Sequence, residues 1–187
     1  MIISFIGNCQ TIALCILLQR LLRKKPHLIV WLLYGDEFKE HDWSQKCMNT
    51  MIEYDESLEQ IKLSDVIIFQ EINKNKSLFS NEETLRKMKK STCTLIKLPS
   101  IFFHYDNYDK SLIDLQNREA INNVTIRVSQ IINKYKTETL MLTYNHPTMF
   151  LYLEILTEIC TLLNIDFFTK EEYSKLIDNK VDIGLPD

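Results

Sequence analysis

Ile2-Ile3-Ser4-Phe5-Ile6-Gly7-Asn8-Cys9-Gln10 opens the chain, and an apolar run from Thr11 to Leu22 follows it, closing in Arg23-Lys24-Lys25-Pro26. The pattern predicts a strand, a tight turn and a helix. Gly7 can take the positive φ that a sharp turn calls for. Asn8 can cap the first free N–H groups of the helix, and Pro26 with the basic cluster marks its end. Cys9 then stands at a helix N-terminus, where the macrodipole and free backbone N–H groups favour negative charge. A thiolate is stabilised in such a place and its pKa lowered, and the same N–H groups can hold an oxyanion. The ordinary alternative, for a cysteine beside apolar sequence, is packing as a small buried hydrophobe.

Strand and helix alternate beyond this opening. Leu28-Ile29-Val30-Trp31-Leu32-Leu33 is apolar without alternation, as in a strand covered on both faces. Residues 37–56 are polar, with a short helix expected near 44–51. Ser57 to Leu63 predicts a brief helix, and Asp65-Val66-Ile67-Ile68-Phe69 a third buried strand ending in Gln70-Glu71. Ser80 and Glu83 have capping-box spacing and open a helix to about Lys90, and Cys93 to Leu98 makes a fourth strand stopped by Pro99. From Ser111 to Lys136 apolar positions recur at helical intervals, giving one amphipathic helix with a weak point at Asn122-Asn123. Leu140 to Thr143 is a short extended piece. Pro147 suits the first turn of a helix that Met149 to Leu163 supplies. Residues 165–168 predict an edge strand, and Thr169 with Glu172 a capping box before a last helix to about Asn179.

This order argues for a single α/β domain spanning residues 1–187, a three-layer α/β/α sandwich on a mostly parallel sheet of 4–5 strands. A hydrophobic content of 45% with three glycines and four prolines suits one well-cored unit. A net charge of −3 and a pI near 5.8 argue against nucleic acid as a partner. The five cysteines (9, 15, 47, 93 and 160) contain no C-x-x-C pair, which points to reduced thiols in the cytoplasm. The histidines at 27, 41, 104 and 146 lack metal-ligand spacing, so no metal is expected. Residues 1–19 carry no charged side chain, but the basic residues follow the apolar run and polar residues interrupt it. A buried strand and helix fit better than a signal or anchor, and no membrane insertion is expected.

Ile101-Phe102-Phe103-His104-Tyr105-Asp106-Asn107-Tyr108 sets five rings in eight residues beyond a strand end. α/β folds bind ligands at that edge, and rings equally serve to cover a core.

Gly7-Asn8-Cys9-Gln10 directly after the first strand resembles the opening motif of the WcbI family of polysaccharide-biosynthesis proteins, whose fold is related to the SGNH hydrolases. Three further stretches are similar in kind and order: Asp65 to Gln70, Leu98-Pro99-Ser100 with the aromatic loop to Tyr108, and Asn145-His146-Pro147 before an apolar helix. The sequence departs from a Ser-His-Asp hydrolase in having Cys9 for the serine and Thr143 three residues before the histidine, where SGNH enzymes usually carry aspartate.

The resemblance implies an SGNH-like fold and a coenzyme A-binding acetyltransferase of capsule or other surface polysaccharide synthesis, with acetyl-CoA as donor and a sugar as acceptor. Within it Cys9 accepts the acyl group or stands beside the thioester, and His146 is the base. Gln10 and Gln70 can donate hydrogen bonds to the carbonyl oxygen or the sugar, Asn8 can share that task or be only a cap, and His104 can contact substrate. A structural hydrogen bond to a backbone carbonyl is the plainer role for His146. Lys74 and Lys76, in the loop after the third strand, can meet the cofactor phosphates or be solvated surface. Two alternatives remain at this level: an SGNH-type esterase or deacetylase, and a non-catalytic CoA- or sugar-binding module.

Overall fold

The computed structural model describes residues 1–22, 28–32, 51–52, 54–70, 82–169 and 171–172, with 28–32, 51–52 and 54–58 described by their backbone. Its centre is a parallel sheet. Strands β1 (Ile2–Ile6), β2 (Leu28–Leu32), β3 (Met51–Ile52), β4 (Val66–Gln70) and β5 (Thr94–Leu98) take the order β3-β2-β1-β4-β5. The three strands with described side chains, β1, β4 and β5, are in register through Ile3 with Val66, Phe5 with Ile68, and Ile68 with Ile96. All of β4 is buried, as its unbroken apolar run requires when both sheet faces are covered.

Alternate residues of these strands feed two cores. Ile3, Phe5, Val66, Ile68, Ile96 and Leu98 face one side, where α1 (Cys9–Leu21), α5 (Val128–Lys134) and α6 (Met149–Leu162) pack. Ile6, Ile67 and Phe69 face the other, against Ile61 of α2 (Tyr54–Leu63) and Leu85 of α3 (Glu82–Met88). Helices thus lie on both faces of the sheet, and α1 buries Leu14, Cys15, Leu17, Leu18 and Leu21 on one stripe.

The expected helix over Ser111–Lys136 is two helices. α4 (Tyr108–Asn122) starts earlier and ends at Asn123, a left-handed cap with φ 47°, and α5 follows after a short turn. The break falls on the adjacent asparagines, and Asn tolerates the left-handed region better than most residues. Buried Glu119 bridges it, accepting from Ser129 N at 2.8 Å and from the Ser129 hydroxyl. α3 ends at Met88, two residues short of the expected Lys90.

Pro147 does not begin the last core helix. Met141–Thr143 (β6) and His146–Pro147 (β7) form a small antiparallel hairpin, and Thr148 caps α6 by accepting from Leu151 N at 3.4 Å. A proline fits such a two-residue edge strand because no further ladder bond is asked of its nitrogen. The edge strand expected at 165–168 is a single bridge between Leu22 and Phe167, with Phe168 N donating to Leu21 O at 2.8 Å. The Thr169–Glu172 capping box is formed in both directions, at 2.8 and 3.3 Å. The Ser80 end of the other box, most of the helix near 44–51 and the remainder of the last helix lie outside the described residues. Met51 itself is in β3. Among the described residues, no helix is long and apolar enough to cross a membrane.

Candidate active site

Parallel strands put their carboxyl ends on one edge, where open α/β sheets take their ligands. The turn after β1, the end of β4 and the loop after β5 share that edge, and one buried side chain joins them. Gln10 Nε2 donates to Ile101 O and to Asn145 O, each at 2.8 Å. Its Oε1 accepts from Gln70 Nε2 at 2.9 Å and from Ile101 N at 3.1 Å. Gln70 Nε2 also donates to Pro99 O at 3.0 Å. Both Gln10 amide hydrogens and both Gln70 amide hydrogens are therefore engaged with the protein itself. The two glutamines fasten the site together and keep no amide N–H free for a ligand. Gln70 Oε1 is buried beside Gly7 and has no hydrogen-bond partner among the described residues.

Gly7 is required here by space. A Cβ would come within 2.7 Å of Thr11 Cγ2 and 3.1 Å of Gln70 Oε1. Its φ of 159° sits at the border of the extended region, so the close approach decides the residue more than the turn does.

Asn8 is the cap of α1: its Oδ1 accepts from Gln10 N at 2.9 Å, and its carbonyl accepts from Thr11 N and the Thr11 hydroxyl. The first-turn donors that could stabilise a thiolate are shared with this cap. Burial pushes the half-buried Cys9 thiol up, and the N–H groups of Gln10 and Cys9 pull it down without reversing the shift. The lowered pKa expected at Cys9 is thus overturned: removal from water outweighs the helix N-terminus. Tyr152 of α6 lies close enough to Cys9 for a thiolate to raise its phenol further, beyond the effect of its own burial. Cys15, Cys93 and Cys160 are buried, and burial pushes Cys160 up to about 12.

His146 stands exposed in β7, opposite Thr143, whose Oγ1 lies 2.6 Å from its Nδ1. Among the described residues no hydrogen bond joins His146 to Cys9; the link between their segments is Gln10 holding the Asn145 carbonyl. The rings of the 101–108 segment divide. Ile101 and Phe103 are core, while Phe102 and His104 are exposed and flank Tyr144, with centroids 6.1 and 5.4 Å from it and planes within 20° and 4°. Phe103 N donates to Tyr144 O at 2.7 Å, which fixes this row beside the hairpin of His146. Arg118 sits over Phe102, donates to its carbonyl at 3.1 Å and has a buried Nε with no partner among the described residues. Lys74 and Lys76 lie outside the described residues.

The sequence reading did not assign roles to Thr143, Tyr144, Arg118 or Tyr152. Only Thr143 carried a signal, its place three residues before the histidine. A surface groove of about 410 Å³ between α5 and α6, lined by Arg127, Lys134, Glu154 and Glu158 among others, contains none of the predicted site residues. Among the described residues, no group of three or more His, Cys, Asp or Glu could hold a metal.

The fold has a counterpart among solved structures. WcbI, described as a polysaccharide biosynthesis enzyme in its native form without a disulfide bond between coenzyme A and a cysteine, aligns with 98% of this chain and 73% of its own. The TM-score is 0.54 at 14% identity, a likeness of fold alone. No protein-family model and no curated protein matches the sequence.

Proposed function

We propose that the protein transfers an acyl group, acetyl in the first instance, from coenzyme A to a hydroxyl of a sugar or polysaccharide precursor, at the carboxyl edge of an SGNH-like sheet. The observation that carries this reading is the four-bond junction at Gln10, which gathers the Cys9 turn, the loop after β5 and the His146 hairpin into one place. The fold likeness to a coenzyme A-related polysaccharide enzyme supports the choice of donor.

The residues present suit a thioester donor: a half-buried neutral thiol at a helix N-terminus, a row of exposed rings, and a cation against that row. When bound, coenzyme A supplies an acyl group activated as a thioester. Cys9 would accept that group or stand beside the thioester. His146, whose ring is open to solvent, takes the proton of the acceptor hydroxyl. Phe102, His104 and Tyr144 offer flat faces to a sugar ring, and Arg118 with Lys74 and Lys76 are the cations for phosphate.

The rival is an esterase or deacetylase of the SGNH type with water as acceptor, in which Thr143 contacts His146 from the place of the usual aspartate but without its charge. Coenzyme A at 100 times its Kd should stabilise the fold by about 2.7 kcal/mol and raise the melting temperature visibly. An unmoved melting curve removes the cofactor from the reading. Loss of acyl-CoA that depends on an added sugar marks the transferase; loss that water alone sustains marks the hydrolase.

A further inference from the structure

Thr143 Oγ1 makes two contacts, 2.6 Å to His146 Nδ1 and 3.1 Å to Asn145 Oδ1. A hydroxyl has one proton to donate, and an amide oxygen can only accept. The Thr143 proton therefore belongs to Asn145. His146 Nδ1 must then carry the ring proton and donate it to Thr143, which leaves the lone pair on Nε2. We propose that Thr143 and Asn145 are a positioning pair that sets His146 in its Nδ1–H form, so that Nε2 is the proton acceptor.

The surroundings suit the role. Thr143 and His146 are partners across the β6–β7 hairpin, so the backbone fixes their spacing. The Asn145 main chain is held by Gln10 Nε2 from inside the fold, which fixes the other end of the chain of contacts. Thr143 is itself exposed, so packing does not account for the contact. A carboxylate at position 143 would stabilise the imidazolium by charge; a neutral hydroxyl orients the ring and selects the tautomer. In the transfer the acceptor C–O bond would form as the thioester C–S bond breaks; Nε2 would take the hydroxyl proton and pass it to the leaving thiolate, and the Nδ1 proton would stay against Thr143. That use of Nε2 rests on the transferase reading, whereas the tautomer rests on the hairpin geometry alone.

The test is nitrogen NMR of the neutral His146 ring in the full chain, together with acyl transfer. The Nδ1–H form is expected in the unaltered protein, in Thr143→Ser, and in Asn145→Asp, whose carboxylate can only accept. In Thr143→Val the ring should shift toward the Nε2–H form. Transfer should fall about tenfold there, part of the ~10²–10⁴-fold that a positioned base supplies, and return in Thr143→Ser. An amide of Asn145 turned to donate would reverse the chain of bonds. An Nε2–H ring in the unaltered protein, or a tautomer unaltered by Thr143→Val, overturns the pairing. A ring that behaves as expected in a protein with no acyl transfer leaves the pairing standing and removes the base role.

Discussion

Gln10 Nε2 and the main-chain carbonyl of Asn145 meet at 2.8 Å across 135 positions of sequence. With Ile101, 91 positions away, the same amide makes two further bonds. A buried amide that satisfies two carbonyls and two N–H groups, one of them on Gln70, leaves four orphans when removed, each costing about 1–3 kcal/mol. Gln10→Ala should therefore destabilise the fold by roughly 3 kcal/mol or more, read as a lowered denaturation midpoint. Gln10→Glu keeps the acceptor and loses both donors, so it should also destabilise. A midpoint unchanged in Gln10→Ala would mean the junction is not what joins these segments.

Asp65 ties the start of β1 to the end of α3. It accepts from Ile2 N at 2.7 Å and from Lys90 Nζ at 2.6 Å. The Lys90 contact first, and the Ile2 N–H after it, hold its carboxyl below the ordinary range. A carboxyl depressed in the folded state stabilises above its unfolded pKa of about 3.9, and that contribution is lost as pH falls through the folded value. The carboxylate is 41% exposed, so solvent screening limits the effect to about 1 kcal/mol or less. Asp65→Asn should cost that much at pH 7 and nothing once both states are protonated. A cost that persists at low pH would assign the loss to the geometry of the amide instead.

What the sequence made legible, and what it did not, divides by the range of the forces involved. The strand at Val66–Phe69 was readable because burial on both faces leaves no polar position in the run. The break at Asn122-Asn123 was readable because propensity acts locally, and the Thr169–Glu172 box because its partners are three residues apart. Pro147 was misread because proline suits an edge strand as well as a first helical turn, and the Thr148 hydroxyl settled which. The Cys9 turn itself was visible in four letters. Its raised thiol was not, since exclusion of water depends on what packs over it in the folded chain. The work of Gln10 was hidden for the same reason: all its partners but its own turn are distant in sequence.

Cys9 and His146 belong to one reaction if the transferase reading holds, although no hydrogen bond joins them. Cys9→Ala and His146→Ala should each lower transfer by about 10²-fold or more, the scale of a lost nucleophile or base. The double variant should be little worse than either, because groups serving one step are not additive. Additive losses would place the two residues in separate steps.

Asn8 and Cys9 compete for the same backbone hydrogen. Gln10 N donates to Asn8 Oδ1 at 2.9 Å and also favours the charged form of Cys9. Alanine at position 8 removes the cap, which should cost about 1 kcal/mol of stability. It also frees that N–H to turn wholly to the sulfur, and a hydrogen bond to the charged form lowers a pKa. The expected pair of effects has opposite signs: Asn8→Ala should melt lower, yet alkylate Cys9 at lower pH than the unaltered protein does. The unaltered Cys9 should itself titrate above the ordinary thiol value of about 8.5. The reading is clean because Cys15, Cys93 and Cys160 are buried, provided Cys47→Ser is the background. A Cys9 that titrates low in the unaltered protein would restore the helix N-terminus as the dominant influence. One that does not respond to Asn8→Ala would show that burial alone sets its pKa.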